Sequence, residues 1–574
     1  MPLSKTCKQC SQQFTVEDED LEFYKKVSPT LGGKTYEWPA PTLCMFCRGM
    51  RRQAWRNERN LYKTKCAKSG KEIVSVYSPD KTDYKVYELS EWWKDDWDAM
   101  QYGKEFDSSR GFFDQFDELL KAVPRLSLFN TQTQNCDYVN YTAECKDCYM
   151  SSVIYYQCDK VHYSYLTYYS KNSIDIGYCD KVENCYELVS SNGCYGCRYS
   201  NRLTNCRDCY FCQDLNGCSD CILSNNLTRK QYCVRNKQLT KEEYEKEKKE
   251  LDLGSYQKVN EYLKEYEQMR KGAIVKFANL LNCENCEGDN LINCKNVKKC
   301  FSAVRVENSR YSFDQEDGKN IYDCEGGSYE WAVESNHTGF GSNFIVCSGV
   351  LNSSFLYYCE NCHNCRDCFG CVGLRGKQFC VFNKQYSKEE YEQLVEKIIK
   401  KMVEGGEWGE FFPFRLSPFG YNESLANDYH PKTKEEVKGI GAKWQDNDYS
   451  LKYDGPFYEP KDNIKDYIEN EGERNKLLAG ILKCEVSGKP FKLVPQELAF
   501  YFEQGVPIPR RHYDVRYKER FKMRNPKVLH HRQCVCEEQG HEHEGRCENE
   551  FETTYAPDRP EKIYCERCYQ KSVV

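Results

Sequence analysis

The chain has no long apolar run. Across its 574 residues nothing approaches the ~18 consecutive apolar positions that a membrane-spanning helix needs, so no membrane segment is expected. The opening MPLSKTCKQC has no apolar core of a secretory signal, and a cytoplasmic protein is expected. Histidine is scarce. The nine present are scattered, and no serine, histidine and carboxylate set has a spacing that suggests nucleophilic catalysis. Strand–helix alternation with a Gly-rich cofactor turn is also missing, which argues against a Rossmann-like enzyme. These absences lean away from catalysis. Neither sign of charge dominates: 82 Lys and Arg against 88 Asp and Glu give a net charge of −6, and the 14% aromatic content marks folded domains rather than disorder.

Cysteine is what the sequence has in excess. Thirty-seven is an odd number in a long chain, and many of these residues sit as Cys-x-x-Cys. That pattern points to reduced thiols serving as metal or redox sites rather than to a secreted disulfide scaffold. CKQC at 7–10 and CMFC at 44–47 give two close pairs, Cys7 with Cys10 and Cys44 with Cys47. Two such knuckles close a tetrahedron of thiolates around Zn²⁺ with no open position, so the site is expected to be structural. With Phe14, the acidic EDEDLEFY at 17–24, PAPTLC at 39–44 and CMFCR at 44–48, the first ~50 residues resemble a family of zinc-binding domains of treble-clef type. That resemblance implies zinc binding and little about activity.

A basic stripe follows. Residues 48–65 hold seven Lys or Arg against one acidic residue, and Arg48, Arg52, Arg56, Arg59 and Lys63 recur at helical spacing. Such a face suits phosphate contacts, with Trp55 and Tyr62 available for stacking; the alternative is a solvated face or pairing with the chain's own acids. The module is duplicated. A shift of 468 carries Arg48, Arg52, Arg56 and Cys66 onto Arg516, Arg520, Arg524 and Cys534, and a shift of 477 carries Cys7 and Phe14 onto Cys484 and Phe491. In the second copy Ser487, His512 and Val515 replace three ligands, so CEVSGKPF at 484–491 marks a module without metal. Its stripe survives, with Arg516, Arg520, Arg524 and Lys527 as candidate phosphate contacts; its helix is expected to break near Pro526.

CAKSGK at 66–71 has the same defect at the other end. Its carboxy-terminal counterpart keeps Cys547, Cys565 and Cys568, with Cys534 as the preferred fourth ligand and Cys536, His541 or His543 as alternatives. Two zinc ions are therefore expected in the end modules, not four.

The middle differs. Cys185, Cys197, Cys209, Cys221 and Cys233 recur every 12 residues, which fits a parallel β-solenoid. The block repeats at a shift of 147, and each copy ends in a capping box, Thr240 with Glu243 and Ser387 with Glu390. The dense run CENCHNCRDCFGC at 359–371 is read first as stacked buried cysteines, with extra soft metal, an iron–sulfur cluster or redox thiols as alternatives. The aromatic, acidic segments 88–120 and 406–431 look like docking stretches that pack the end modules onto the solenoids.

The expected architecture is multidomain and mainly β: two tandem cysteine-rich parallel β-solenoid blocks, flanked at each end by paired zinc-ribbon or treble-clef-like modules, with short helices. Its boundaries are a zinc module at 1–65, a metal-free ribbon and linker at 66–128 and a first solenoid with capping helix at 129–250. A helical connector at 251–275, a second solenoid at 276–402, an aromatic linker at 403–480, the metal-free module copy at 481–533 and a zinc ribbon at 534–574 complete it. Through WRNERNLYK, NKQYSKEEY, EWGEFFPFRLSPFGYNE, CEVSGKPF, IPRRH and ETTYAPDRPEKIYCERCY, nearly the whole chain resembles a group of large uncharacterised zinc-ribbon proteins from uncultured bacteria. Chains of that kind are sometimes labelled CaiB/BaiF-type CoA transferases, an activity for which this sequence offers no Asp nucleophile in a Rossmann-like domain. The expected function is a zinc-stabilised, non-enzymatic scaffold whose basic ends bind RNA or ribonucleoprotein. A protein–protein scaffold using the tyrosine-rich solenoid face is the second reading, and a thiol-redox enzyme the third.

Overall fold

A computed structural model describes residues 2–573. Residues 1–128 and 278–447 form one compact unit, and residues 129–277 and 448–574 form the other. The amino-terminal module thus belongs with the second cysteine-rich block, and the carboxy-terminal modules belong with the first. The protein is mainly β, with 14 α-helices among the described residues.

In the first unit the block is a ten-stranded sheet running from Leu280–Leu281 to Lys384–Gln385. In the second it is a fourteen-stranded sheet from Asn130–Gln134 to Lys237–Gln238. Pairing within each block is parallel until a closing antiparallel hairpin, Gln231–Val234 with Lys237–Gln238 and Gln378–Val381 with Lys384–Gln385. In the second unit the pairing closes a ring of five parallel strands, Asn140–Lys146, Ser152–Tyr155, Tyr165–Tyr168, Lys171–Asp180 and Asp159–His162, and then continues beyond it. There the register advances 12 residues at a time, Ile174 to Tyr186, Tyr186 to Arg198, Arg198 to Tyr210, and Tyr210 to Ile222.

The 12-residue step has a finer period inside it. Asn184, Glu187, Ser190, Gly193, Gly196 and Tyr199 all take left-handed φ between +50° and +66°, one residue in three. Each is followed by a fully inward side chain: Cys185, Leu188, Ser191 and Cys194 fill one turn, and Cys197, Ser200, Leu203 and Cys206 the next. Left-handed backbone is costly for residues other than glycine and least so for asparagine and aspartate, which accounts for the Asn, Asp and Gly between the cysteines. Burial of one side chain per corner, with parallel hydrogen bonding on both sides, offsets that cost.

Small donors suit these inward positions. Cys206 Sγ donates to Thr204 O at 3.3 Å and Leu215 O at 3.4 Å, and Ser191 Oγ donates to Val189 O at 2.9 Å while accepting from Leu203 N at 3.0 Å. Thiol and hydroxyl do the same work, so the two interchange along one ladder at Ser200, Cys212 and Ser224. Burial pushes the Cys179 and Cys300 thiols each up to about 12, which keeps those two protonated. A Cys206→Ser change is therefore expected to cost less than about 1.5 kcal/mol, whereas Leu203→Ala should cost about 2–5 kcal/mol through the cavity it leaves. Urea midpoints of the two variants decide this; equal losses would mean that the inward thiol is not acting as a donor.

Both expected capping boxes are formed. Thr240 caps the helix Lys241–Glu250 with Glu243 returning to its backbone, and Ser387 caps Lys388–Glu404 with Glu390. The aromatic segments are core: Trp92 stands edge-on to His363, and Phe112 packs against Phe369 and Tyr358.

Candidate functional site

The first four-cysteine cluster is built by a hairpin and a helix start. Strands Leu3–Thr6 and Gln13–Val16 pair antiparallel, and the turn between them is fixed by Cys7 N to Gln12 O and Ser11 N to Cys7 O, each 2.9 Å. Ser11 takes a left-handed φ of 61°, which turns Cys7 and Cys10 toward one point. Cys44 is the N-cap of the helix Met45–Gln53, so Cys44 and Cys47 enter from the first helical turn, where thiolate charge is favoured. The hydrogen bond from Cys47 pulls Cys44 down to about 5 against the effect of burial. The four sulfurs lie within 4.8 Å of one another, a spacing that fits a metal ion.

The second cluster joins Cys534, Cys547, Cys565 and Cys568, also within 4.8 Å and all buried. Cys534 and Cys547 come from either side of the strand pair His530–Gln533 and Glu550–Thr553, and Cys565 and Cys568 open the helix Glu566–Val573. Burial opposes ionisation of Cys565, but the Asn549 amide and the Cys568 backbone N–H hold it down to about 7. The preferred fourth ligand, Cys534, is where the sequence placed it. Cys536, His541 and His543 gather in a separate group with Cys568.

The two depleted knuckles keep the backbone and lose the ligands. In the copy at 484–533, Ser487 N donates to Cys484 Sγ at 3.4 Å, and His512 takes over the N-cap position of Cys44, its Nδ1 accepting from Asp514 N at 3.2 Å. Leu498, Phe500, Tyr501, Val506 and Ile508 pack into the core around Cys484. At the other end Glu88 N donates to Cys66 Sγ at 3.3 Å, the same bond that Cys565 N makes to Cys534 Sγ at 3.2 Å.

The basic stripes are not solvent-facing. The helix Met45–Gln53 lies against strands Phe313–Gly327 and Tyr329–Asn336, and its arginines point into them. Arg48 Nε donates to Asp323 Oδ1 at 2.8 Å, Arg52 donates to Glu334 Oε2 at 2.7 Å, and Arg56 pairs with Glu58. In the other unit the helix Tyr513–Lys522 lies on Lys171–Asp180 and Tyr186–Val189, where Arg516 and Arg520 clasp Asp175 at 2.6 and 2.7 Å. Arg48, Arg52, Arg56, Arg516 and Arg520 are all buried, so the expectation that they contact phosphate is corrected. Arg524 stacks over Tyr178. The expected continuous helical face is corrected as well: helix ends at Gln53, and Lys63 lies exposed in the strand Tyr62–Lys65, with Arg59 and Lys527 half-buried outside any helix.

A signal for this was present and unread. Arg52 and Arg520 are related by the module shift, and their carboxylate partners Glu334 and Glu187 are 147 residues apart, the shift of the block. Asp20 and Glu497, related by the 477-residue shift, each accept a tyrosine hydroxyl at 2.9 Å, from Tyr311 and Tyr163, which lie 148 residues apart, one more than the block shift. Two independent duplications interlock at the same ion pairs.

A cavity of about 440 Å³ lies within the second unit. Tyr186, Tyr199, Tyr256 and Pro507 line it with Glu187, Glu267 and Glu519, and Arg270, Arg510 and Lys522 stand at it without an ion pair among the described residues. Arg510 lies over the Tyr256 ring at 4.4 Å.

No family model matches this sequence, and no curated protein matches it. Among solved structures, a candidate acetyltransferase from Desulfovibrio desulfuricans G20 aligns at 8% identity over 45% of this chain and 81% of its own, with a TM-score of 0.09. A likeness that faint carries no argument about fold or activity.

Proposed function

We propose that the protein is a zinc-stabilised, non-enzymatic scaffold of two parallel β-solenoids bearing paired treble-clef-like and zinc-ribbon modules, and that it binds RNA or ribonucleoprotein at the cationic cavity of the second unit. Zinc is the metal that four thiolates in a closed tetrahedron favour. Thirty-seven unpaired cysteines suit a reducing cytoplasm. The observation that carries the partner is the set Arg270, Arg510 and Lys522, which make no ion pair among the described residues, beside the tyrosine walls of a cavity that Glu187, Glu267 and Glu519 also line; cations with aromatic platforms are what a single-stranded phosphate backbone and its bases engage.

Fluorescence anisotropy of the full chain with single-stranded RNA, over a salt series, tests this. Arg510→Ala/Lys522→Ala should weaken binding roughly tenfold or more and flatten the log–log salt slope by about 1–2. Unchanged affinity and slope in that variant would sink the RNA reading. Burial, opposed by Arg520 and reinforced by Asp175, pushes Glu187 on the cavity wall up to about 7. Its carboxyl is neutral below that pH, so binding should strengthen as pH falls through about 7 and become flatter in Glu187→Gln.

A protein partner on the solenoid face is the second reading. It is supported by Tyr156 and Tyr169, stacked at 5.1 Å with Tyr169 45% exposed, beside the Tyr155–Tyr168 pair. Loss of partner binding in Tyr156→Ser/Tyr169→Ser, with RNA affinity intact, would favour it.

A further inference from the structure

We propose that the carboxy-terminal ribbon holds a second metal ion, bound by Cys536, His541 and His543 and sharing the Cys568 thiolate with the four-cysteine ion. This deepens the metal-stabilised reading and rests on it.

The donor atoms of Cys536, His541, His543 and Cys568 lie within 4.8 Å of one another, as do those of Cys534, Cys547, Cys565 and Cys568. The two sets have only Cys568 in common. Seven donors with one shared complete two four-coordinate ions with nothing left over. The Cys-Val-Cys sequence explains why one ion does not take both of its cysteines. Segment 534–536 is hydrogen-bonded like a strand: Cys534 N donates to Asn549 O, Cys536 O accepts from Cys547 N, and Val535 N donates to Ile563 O on the other side. Two residues along a strand span about 6.6 Å. That is a Cα spacing, against at most ~4.6 Å between two thiolates at ~2.3 Å from one ion, and Cys534 and Cys536 accordingly fall into different donor groups.

Both histidines are already oriented as ligands. His543 Nδ1 is 2.9 Å from Gly545 O, a bond that places its proton there and leaves the Nε2 lone pair facing Cys568 Sγ at 3.5 Å. His541 points Nδ1 at Cys536 Sγ at 3.1 Å, and its Nε2 faces Glu538 at 3.5 Å. Glu538 is itself held by Tyr564 Oη at 2.9 Å and Ser572 Oγ at 3.0 Å. A carboxylate or carbonyl behind each metal-binding imidazole is the usual outer shell of such sites. Two thiolates with two imidazoles select a borderline-soft divalent cation, zinc above all. Sharing Cys568 also lowers the excess negative charge that four thiolates leave on one divalent ion. The histidine site opens onto a cavity of about 430 Å³, so its ion is the more accessible of the two.

The experiment is metal counting on the full chain purified in zinc, with cobalt and cadmium substitution. Wild type should hold three ions. His541→Ala/His543→Ala should hold two, with the thiolate-to-cobalt charge-transfer bands of the four-cysteine sites retained, and Cys536→Ser should match it. Cadmium-113 spectra should show two resonances coupled through the shared sulfur, one of them lost in the histidine variant. Two ions in wild type, unchanged in the histidine variant, overturn this proposal and leave the two-zinc scaffold standing. Two ions falling to one in that variant overturn the shared thiolate, because the histidine set then replaces the four-cysteine set. Fewer than two ions in wild type overturn both readings.

Discussion

Arg52→Ala is expected to destabilise the first unit by about 3–5 kcal/mol, an effect far beyond that of a surface arginine. Arg52 is fully buried, bonded to Glu334 at 2.7 Å and within 3.5 Å of Asp323, and its own carbonyl accepts from Asn336 at 3.0 Å. Removing the guanidinium leaves Glu334 in the low-dielectric interior with Arg48 and Arg51 only at 3.8 and 3.6 Å. Arg52→Met/Glu334→Gln should recover much of the loss, because the cost lies in the stranded charge more than in the pair. Asp175→Asn is the mirror test in the second unit, where one carboxylate serves both Arg516 and Arg520. Urea denaturation of each single and double variant gives the coupling energy. If Arg52→Ala lost under about 1 kcal/mol of stability yet lost RNA binding, the arginine would be facing solvent and the buried reading would be wrong.

Stripping the metal is expected to have the largest effect of all, and an uneven one. Structural zinc sites in small modules contribute apparent binding energies on the order of 10 kcal/mol or more. The Cys7, Cys10, Cys44 and Cys47 module and the Cys534, Cys547, Cys565 and Cys568 ribbon each gather four sulfurs within 4.8 Å, and a cation bound there would be what ties their separate segments together. In the copy at 484–533 Ser487 N bonds to Cys484 Sγ and His512 stands edge-on to the Phe491 ring, so no four-thiolate set is there to be emptied. A strong chelator should therefore open residues 2–60 and 530–570 to protease while 484–529 stays protected, and Cys47→Ser should reproduce the first half of that pattern. An unchanged digest after the metal is shown to be gone would refute metal-dependent folding of the end modules.

Much of this was readable because the signals are local. A Cys-x-x-Cys turn brings its own two sulfurs together wherever it sits, and the Thr240–Glu243 and Ser387–Glu390 boxes form within one helical turn. The 12-residue cysteine step became the parallel register Cys209 to Cys221 to Cys233, since stacking like on like is itself a near-neighbour rule. Even the loss of metal at CEVSGKPF was legible, because His512 and Val515 cannot close a four-thiolate site with Cys484.

The arginines were the opposite case. On a helix drawn alone, Arg48, Arg52 and Arg56 make a cationic face, and nothing within that helix distinguishes a hydrated guanidinium from one clasped by a carboxylate. Their partners are distant: Glu334 is 282 residues from Arg52, and Asp323 is 275 residues from Arg48. Closing loops of that size costs only a logarithm of their length, so chain order does not decide which module meets which block. Sequence by itself determined the ligand cysteines, the caps and the 12-residue ladder. Only the tertiary structure decided that the first module lies on the second block and the last on the first, because that choice rests on buried charge finding its counter-charge and not on any preference carried within a single segment.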